Sequence, residues 1–401
     1  MALIRLDPRG FWFTVHQWTG LFCLTFLIIV GATGSVLSFR PQLDRWLNPS
    51  LFDAPARGAA MPIDALVKAV EAERPGLRVS QVLYRVNPGR AAVMSVESTD
   101  SKAAAPGYDQ VFVDPVSGRI LGQRSQFKPG WSPPELLYGV HQMHAELVGG
   151  NLGRWLLGVV SGLWALSSLI GLYLTLPKAR PFWKKWKAIW TVKLGSKLPR
   201  FALDLHRATG LWLLLAAVPV AVTGCALNFY YEMTEPAAIA ISPSRTPQMN
   251  VEPPPPSLVR PRTVSFGRAA EIAADLSQKG GRGLKPAIAS YEADEGLYRV
   301  GLTRSGQRDY VGYGPVYYYL SGADGALVYM DDPYNDSAGR GFIRGLYPVH
   351  SGEVGGWPTR IIVFLLGLVV VEMSVSGLYV WWKKQSIKAK GRKAQAAAAK
   401  A

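Results

Sequence analysis

Four of the five histidines in this 401-residue chain occur as two repeated pairs, and histidine is a side chain that ligates metal centres. His16 and His206 lie in segments that align without a gap at a spacing of 190. FWFTVHQWTGLFCLTFLIIVGATGSVLSF stands against FALDLHRATGLWLLLAAVPVAVTGCALNF, matching Gly20 with Gly210, Thr33 with Thr223, Gly34 with Gly224 and Phe39 with Phe229. His144 and His350 repeat at a spacing of 206, where GVHQMHAELVGGNLGRW meets GLYPVHSGEVGGWPTRI. This second match pairs Gly149 and Gly150 with Gly355 and Gly356, Arg154 with Arg360, Gly171 with Gly377, and Tyr173 with Tyr379. A chain made of two copies of one unit, whose histidines are its most faithfully repeated polar side chains, points to a bound cofactor.

The pairs sit at different levels. His16 and His206 open apolar runs that cross a membrane in one sense, while His144 and His350 precede runs that cross in the other. The two levels are therefore separated by about 30 Å of hydrocarbon. Parallel repeats are expected to be related by a pseudo-two-fold axis along the membrane normal, which sets equivalent residues face to face at equal depth. One iron between His16 and His206 and a second between His144 and His350 is the arrangement this predicts. Bis-histidine ligation inside a helical bundle suits two b-type haems. Gly20, Gly210, Gly149, Gly150, Gly355 and Gly356 would let a flat ring approach the backbone. Arg154 and Arg360 are candidates for the haem propionates, with interfacial snorkelling as their alternative role. His141 has no repeat partner, since position 347 is Tyr347, so it is expected to support the site while His144 is the ligand. His141, His144 and Glu146 also raise zinc, but a fourth ligand and an HExxH helix are missing. Glu372 lies mid-way along the last apolar run and is expected to face the bundle or a cavity.

Four apolar runs, 13–39, 152–176, 211–231 and 361–382, must position these residues, each near or above the roughly 20 residues that span hydrocarbon. The expected fold class is membrane α-helical: a four-helix transmembrane bundle from an internal duplication, with two small α+β extramembrane modules. The net charge of +16 is local. Residues 1–10 hold Arg5, Arg9 and Asp7, the linker 177–200 holds eight Lys/Arg and no acid, and the tail 383–401 holds seven and no acid. Four crossings put all three segments on one side, which the positive-inside rule makes cytoplasmic. Basic segments so placed meet the anionic lipid bilayer, and nucleic acid is not an expected partner. The first run is long and lacks a small-residue cleavage site, so it reads as an uncleaved anchor. Cys23 and Cys225 differ in depth by about 18 Å at 1.5 Å per residue, too far for a disulfide.

The boundaries follow: a first span at 1–40, a module at 41–130, a second span with its histidine motif at 131–176, and the linker 177–200. A third span at 201–231, a proline-rich linker and second module at 232–342, a fourth span at 343–382 and the tail complete the chain. In the first module Ile63, Leu66, Val67 and Val70 make one apolar helix face, followed by strands near 79–86, 91–97, 109–114 and 119–123. The second repeats the plan with Ala269, Ile272, Ala273 and Leu276, then strands near 287–292, 296–303, 315–320 and 326–330. Each reads as one helix on its own antiparallel sheet. The stretch 243–262 reads as a stiff proline-rich linker. No P-loop and no dinucleotide fingerprint occurs, so any nucleotide or flavin must belong to another protein.

The order of span, module, span, basic linker, span, module, span, with H-x-x-x-G opening the odd spans and a histidine four to five residues before Gly-Gly ahead of the even ones, resembles the PepSY-associated transmembrane proteins. These include iron-regulated inner-membrane proteins and periplasmic siderophore reductases of Gram-negative bacteria. The resemblance implies a bacterial inner-membrane protein with periplasmic PepSY modules at 62–125 and 266–331. It also implies a two-haem conduit that takes electrons from a cytoplasmic reductase or quinol and reduces a ferric siderophore. His16, His206, His144 and His350 are the axial ligands on this reading. Two rivals stand beside it. One is a haem-free, PepSY-based envelope-binding or regulatory protein; the other is a transporter using Glu372, for which paired breaks in the spans would be expected.

Overall fold

Pro8 opens the first helix, α1 (Pro8–Leu37), at the position where a missing N–H costs nothing. Its 30 residues extend about 45 Å at 1.5 Å per residue, more than a hydrocarbon core requires. The computed structural model describes residues 7–100, 107–126, 130, 132–243, 262–307 and 311–399. Arg5, Lys400 and all but the two ends of the proline-rich stretch 243–262 lie outside the described residues. After α1 come α2 (Arg40–Leu47), α3 (Pro49–Phe52), α4 (Ile63–Glu73) and the strands β1 (Leu77–Leu83), β2 (Ala92–Ser98), β3 (Gln110–Val113) and β4 (Ile120–Arg124). Then follow α5 (Pro133–Glu146), α6 (Gly150–Thr175), α7 (Phe182–Lys187), α8 (Leu198–Trp212), α9 (Leu214–Asn228), α10 (Glu235–Ile241) and α11 (Phe266–Lys279). Four more strands, β5 (Lys285–Glu292), β6 (Leu297–Thr303), β7 (Val316–Ser321) and β8 (Leu327–Asp331), precede α12 (Ala338–Ser351) and α13 (Trp357–Ala398).

The chain divides into two compact units, the first made of Met1–Ser38, Val140–Thr234 and Val349–Ala401. In it α1, α6 and α13 are each long and apolar enough to cross a membrane. The run read as one continuous third span is broken. α8 and α9 meet the same test only as a pair, bent by 72°. The bend at Leu213 falls between Gly210 and Pro219, two weak helix formers, and Pro219 leaves the Leu215 carbonyl without its donor. The matching stretch of α1 has Ile29 in place of the proline and is unbroken. α1 packs on α6 and α13, α9 on α6, and α8 on α13. Cys23, Leu27, Val160, Leu366 and Val370 form the buried centre. Where α1 meets α13 the backbones come close: a Cβ on Gly31 would stand 2.8 Å from the Gly367 carbonyl, and Ser35 donates to the Phe364 carbonyl at 3.0 Å.

The second unit, Phe39–Gly139 and Glu235–Pro348, differs from the expectation of two modules with separate sheets. All eight strands form one antiparallel sheet in the order β4-β3-β2-β1-β5-β6-β7-β8. The join is β1 against β5, with Gln81 opposite Ser290 and Leu83 opposite Ile288. Each half alone would leave its first strand as an open edge, and pairing the two edges satisfies both rows of backbone groups. The helices α4 and α11 share a core with the sheet: Leu66, Val67 and Val70 on one, Phe266, Ala269 and Ala273 on the other, over Val82, Tyr298, Val300 and Tyr318. Asp64 of α4 accepts from Ser265 Oγ (2.7 Å) and from the Gly267 N–H (2.8 Å), placing a carboxylate at the N-terminus of α11. Burial pushes the Tyr84 and Tyr298 phenols well up, and each donates to a backbone carbonyl at 2.7 Å, of Phe266 and Val264 respectively.

Candidate functional site

Each repeated histidine meets its counterpart in the membrane unit. The rings of His16 on α1 and His206 on α8 have centroids 6.3 Å apart and planes at 73°. The rings of His144 on α5 and His350 on α12 are 6.0 Å apart at 55°. The partners of His144 on α1 lie 14 to 17 residues beyond His16, roughly 21–25 Å along the helix, so the two pairs occupy opposite ends of the span.

What holds the rings is the same in all four cases. His16 Nδ1 lies 3.1 Å from the Ser167 carbonyl and 2.9 Å from its hydroxyl. His206 Nδ1 lies 3.0 Å from the Met373 carbonyl and 3.3 Å from Ser376 Oγ. His144 Nδ1 is 3.1 Å from both the Val30 carbonyl and Thr33 Oγ1. His350 Nδ1 is 3.1 Å from the Val220 carbonyl and 3.2 Å from Thr223 Oγ1. A carbonyl only accepts, so each Nδ1 must be the donor. The threonines agree: Thr33 and Thr223 spend their own protons on the Ile29 and Pro219 carbonyls at 2.7 Å, which leaves their oxygens free to accept. In its neutral form each of the four imidazoles so held carries hydrogen on Nδ1 and a lone pair on Nε2, the state in which histidine ligates a metal.

Space for the rings comes from four glycines. A Cβ on Gly34 would stand 3.0 Å from His144 Cε1, on Gly224 3.2 Å from His350 Cε1, on Gly171 3.3 Å from His16 Cε1, and on Gly377 3.1 Å from His206 Cε1. Between His16 and His206 opens a cavity of about 560 Å³, lined by Gly20, Gly210, Leu24, Trp164, Leu213 and Met373 among others. A Cβ on Gly20 would meet nothing within 4 Å, so its share of the wall is open. Two adjacent imidazoles beside a void of this size could hold one metal centre between them.

A family model for the PepSY-associated TM region matches residues 13–384, the greater part of the chain and all four paired histidines. The chain belongs to the PepSY-associated transmembrane family. It is accordingly a membrane protein, in keeping with the apolar helices α1, α6 and α13. No curated protein matches the chain significantly.

In this PepSY-family chain the remaining candidates fall as follows. Arg154 on α6 donates to the Asn228 carbonyl and to Glu232, the longer contact to Glu232 being 3.1 Å. Arg360 on α13 donates to the Ser38 carbonyl at 3.0 Å and lies 5.1 Å over the Trp357 ring. The guanidiniums that the sequence nominates for propionates thus cap the C-terminal ends of α9 and α1. His144, not His141, faces His350. No three His, Cys, Asp or Glu side chains converge as a metal cage among the described residues. Gly150 and Gly356 take positive φ, +56° and +68°, and so serve the chain's entry into α6 and α13. Glu372 accepts from Thr209 Oγ1 at 3.0 Å, one turn beyond His206. The residues that sequence reasoning passed over are the holders: Thr33, Thr223, Ser167, Ser376, Gly34, Gly224, Gly171 and Gly377. The signal was present, since Thr33/Thr223, Gly34/Gly224 and Gly171/Gly377 recur at the spacings of the histidines.

Proposed function

We propose that this membrane protein is a di-haem b electron-transfer enzyme of the bacterial inner membrane that reduces a periplasmic ferric siderophore and releases the iron as Fe²⁺. On this reading the membrane unit is a four-helix bundle of two repeats, α8 and α9 together making the third span. Both termini and the 177–200 linker are cytoplasmic, and the two PepSY-like halves of the sheet are periplasmic. The observation that carries the reading is the pair of adjacent imidazoles at each end, all four with Nδ1 held on a backbone carbonyl so that Nε2 is left to ligate. The paired ring centroids stand 6.3 and 6.0 Å apart, a separation that would leave room for one metal ion between each pair of histidines, where it would supply redox chemistry.

Haem b, when bound, supplies one-electron transfer between ferric and ferrous iron. The chain supplies the rest. His16 with His206, and His144 with His350, present paired nitrogens; the Ser167, Met373, Val30 and Val220 carbonyls lock their orientation. The buried core of Cys23, Leu27, Val160, Leu366 and Val370 makes the region between the two ends apolar. The substrate takes one electron, and the softer, less charged ferrous ion is held less tightly by hard oxygen donors, so reduction is release chemistry. The chain has no nucleotide or flavin fingerprint, so a cytoplasmic reductase or quinol supplies the electron. The test is a dithionite-reduced minus oxidised spectrum of the purified protein with haem quantified per chain, followed by addition of a ferric siderophore to the reduced protein. Two b-type haems and reoxidation with Fe²⁺ appearing support the proposal. A protein without haem bands returns the PepSY sheet to the centre as an envelope-binding module.

A further inference from the structure

The rim of the cavity between His16 and His206 is cationic in a patterned way. Lys178, after α6, and Lys384, on α13, both line it, and they stand 206 residues apart, the spacing that relates His144 to His350. Arg207 lines it too, next in sequence to His206, and among the described residues it has no ion pair: Asp204, its nearest acid in sequence, is engaged by Arg200 at 2.8 Å. Arg9, also on the rim, is occupied by the Leu174 and Leu176 carbonyls, and Asp7 is the one carboxylate lining the cavity among the described residues. Lys384 Nζ rests 4.3 Å from the Phe13 ring centroid, a contact an incoming carboxylate can outcompete.

We propose that Lys178 and Lys384 form a carboxylate clamp for the group held by His16 and His206, each taking one haem propionate, with Arg207 adding to the positive rim. This rests on the haem reading above. Symmetry carries it. In haem b, the axis through the iron and the methine bridge between the two propionates exchanges the propionates, and it also exchanges the two axial ligands. If His16 and His206 are exchanged by the axis of the repeats, the propionates are exchanged by it as well, and the protein meets them with an equivalent pair of groups. Lys178 and Lys384 are such a pair. Of the other cations that repeat at this spacing, Arg154 and Arg360 are held on the Asn228 and Ser38 carbonyls, and Lys184 and Lys390 do not line the cavity.

The experiment is an optical redox titration of the purified full-length protein, with a His16→Ala variant identifying the component that belongs to this end. Reduction adds negative charge to the haem, and a cation beside a propionate favours it. In K178Q/K384Q that component is expected to shift about tenfold toward the oxidised form at fixed potential, about 59 mV for one electron, and to lose salt dependence, while the other component stays in place. Loss of this haem from the Gln pair but not from K178R/K384R also supports the clamp. An unshifted component in the Gln pair, or equal loss of haem from the Gln and Arg pairs, overturns it. Wild-type protein without haem would overturn the underlying reading and the clamp together, an outcome distinct from the first two.

Discussion

Adding one methyl group at Gly34 should loosen the His144–His350 site while leaving the fold intact. An alanine Cβ would lie 3.0 Å from His144 Cε1 and 3.5 Å from its Nδ1. Ordinary contact needs about 3.4 Å, so the ring must retreat about 0.4 Å, twice the tolerance of about 0.2 Å on a metal–nitrogen bond. Tilting χ angles to follow costs about 1 kcal/mol, and 1.4 kcal/mol is tenfold, so haem should leave this site about fivefold faster. Alanine in place of a helical glycine gains about as much in helix propensity, which offsets the cost in a thermal melt. The assay must therefore read the site, as haem transfer to an excess of an apo-haem acceptor does. Gly377→Ala, at 3.1 Å from His206 Cε1, should act likewise on the other site. Gly162→Ala is the control, its Cβ meeting only Cys225 Sγ at 3.5 Å. If Gly34→Ala and Gly162→Ala release haem at the same rate, the glycines do not seat the ligands.

Three further expectations are independent of that one. His144→Ala should remove one haem per chain while His141→Ala keeps both, as haem quantification of the two variants would show; loss in both would make His141 a ligand. Arg360→Gln should lower stability by about 1–3 kcal/mol in a denaturant titration, because the Ser38 carbonyl loses its donor, with both haem potentials unchanged. A shifted potential would return Arg360 to the propionates. In the sheet unit, Asp44 and Arg124 form a bidentate pair at 2.8 and 2.9 Å with both side chains 11% exposed. Asp44→Ala leaves the guanidinium with Gln110 Oε1 at 2.7 Å but without its carboxylate and should cost about 3 kcal/mol, and a change below 0.5 kcal/mol on the same titration, taken as roughly the noise for a surface site, would show the pair to be solvated.

The eight-stranded sheet shows how far local pattern reaches. Alternation marks the runs that become β1 to β8, and a helix face such as Leu66, Val67 and Val70 is legible because its period is 3.6. That β1 pairs with β5 is not legible, since an edge carries the same backbone groups whichever strand it meets. The bend at Leu213 had a signal in Pro219, but the turn opens six residues before the proline, where the apolar run gives no warning.

At the histidines the division is sharper. Spacings of 190 and 206 in the sequence determined which rings are equivalent, and the sense of each apolar run determined that His16 belongs with His206 and His144 with His350. Duplication makes that possible, because symmetry turns equivalent positions in a chain into opposed positions in space. Only the tertiary structure decided the tautomers, since Nδ1 is fixed by carbonyls on neighbouring helices whose rotation no spacing encodes. It alone gave the repeated glycines their work as seats for imidazole edges, and it alone showed Arg154 and Arg360 on the carbonyls of Asn228 and Ser38. A charged side chain takes whichever acceptor the packing brings within reach, and that reach is set by the assembled helices rather than by the residues along the chain.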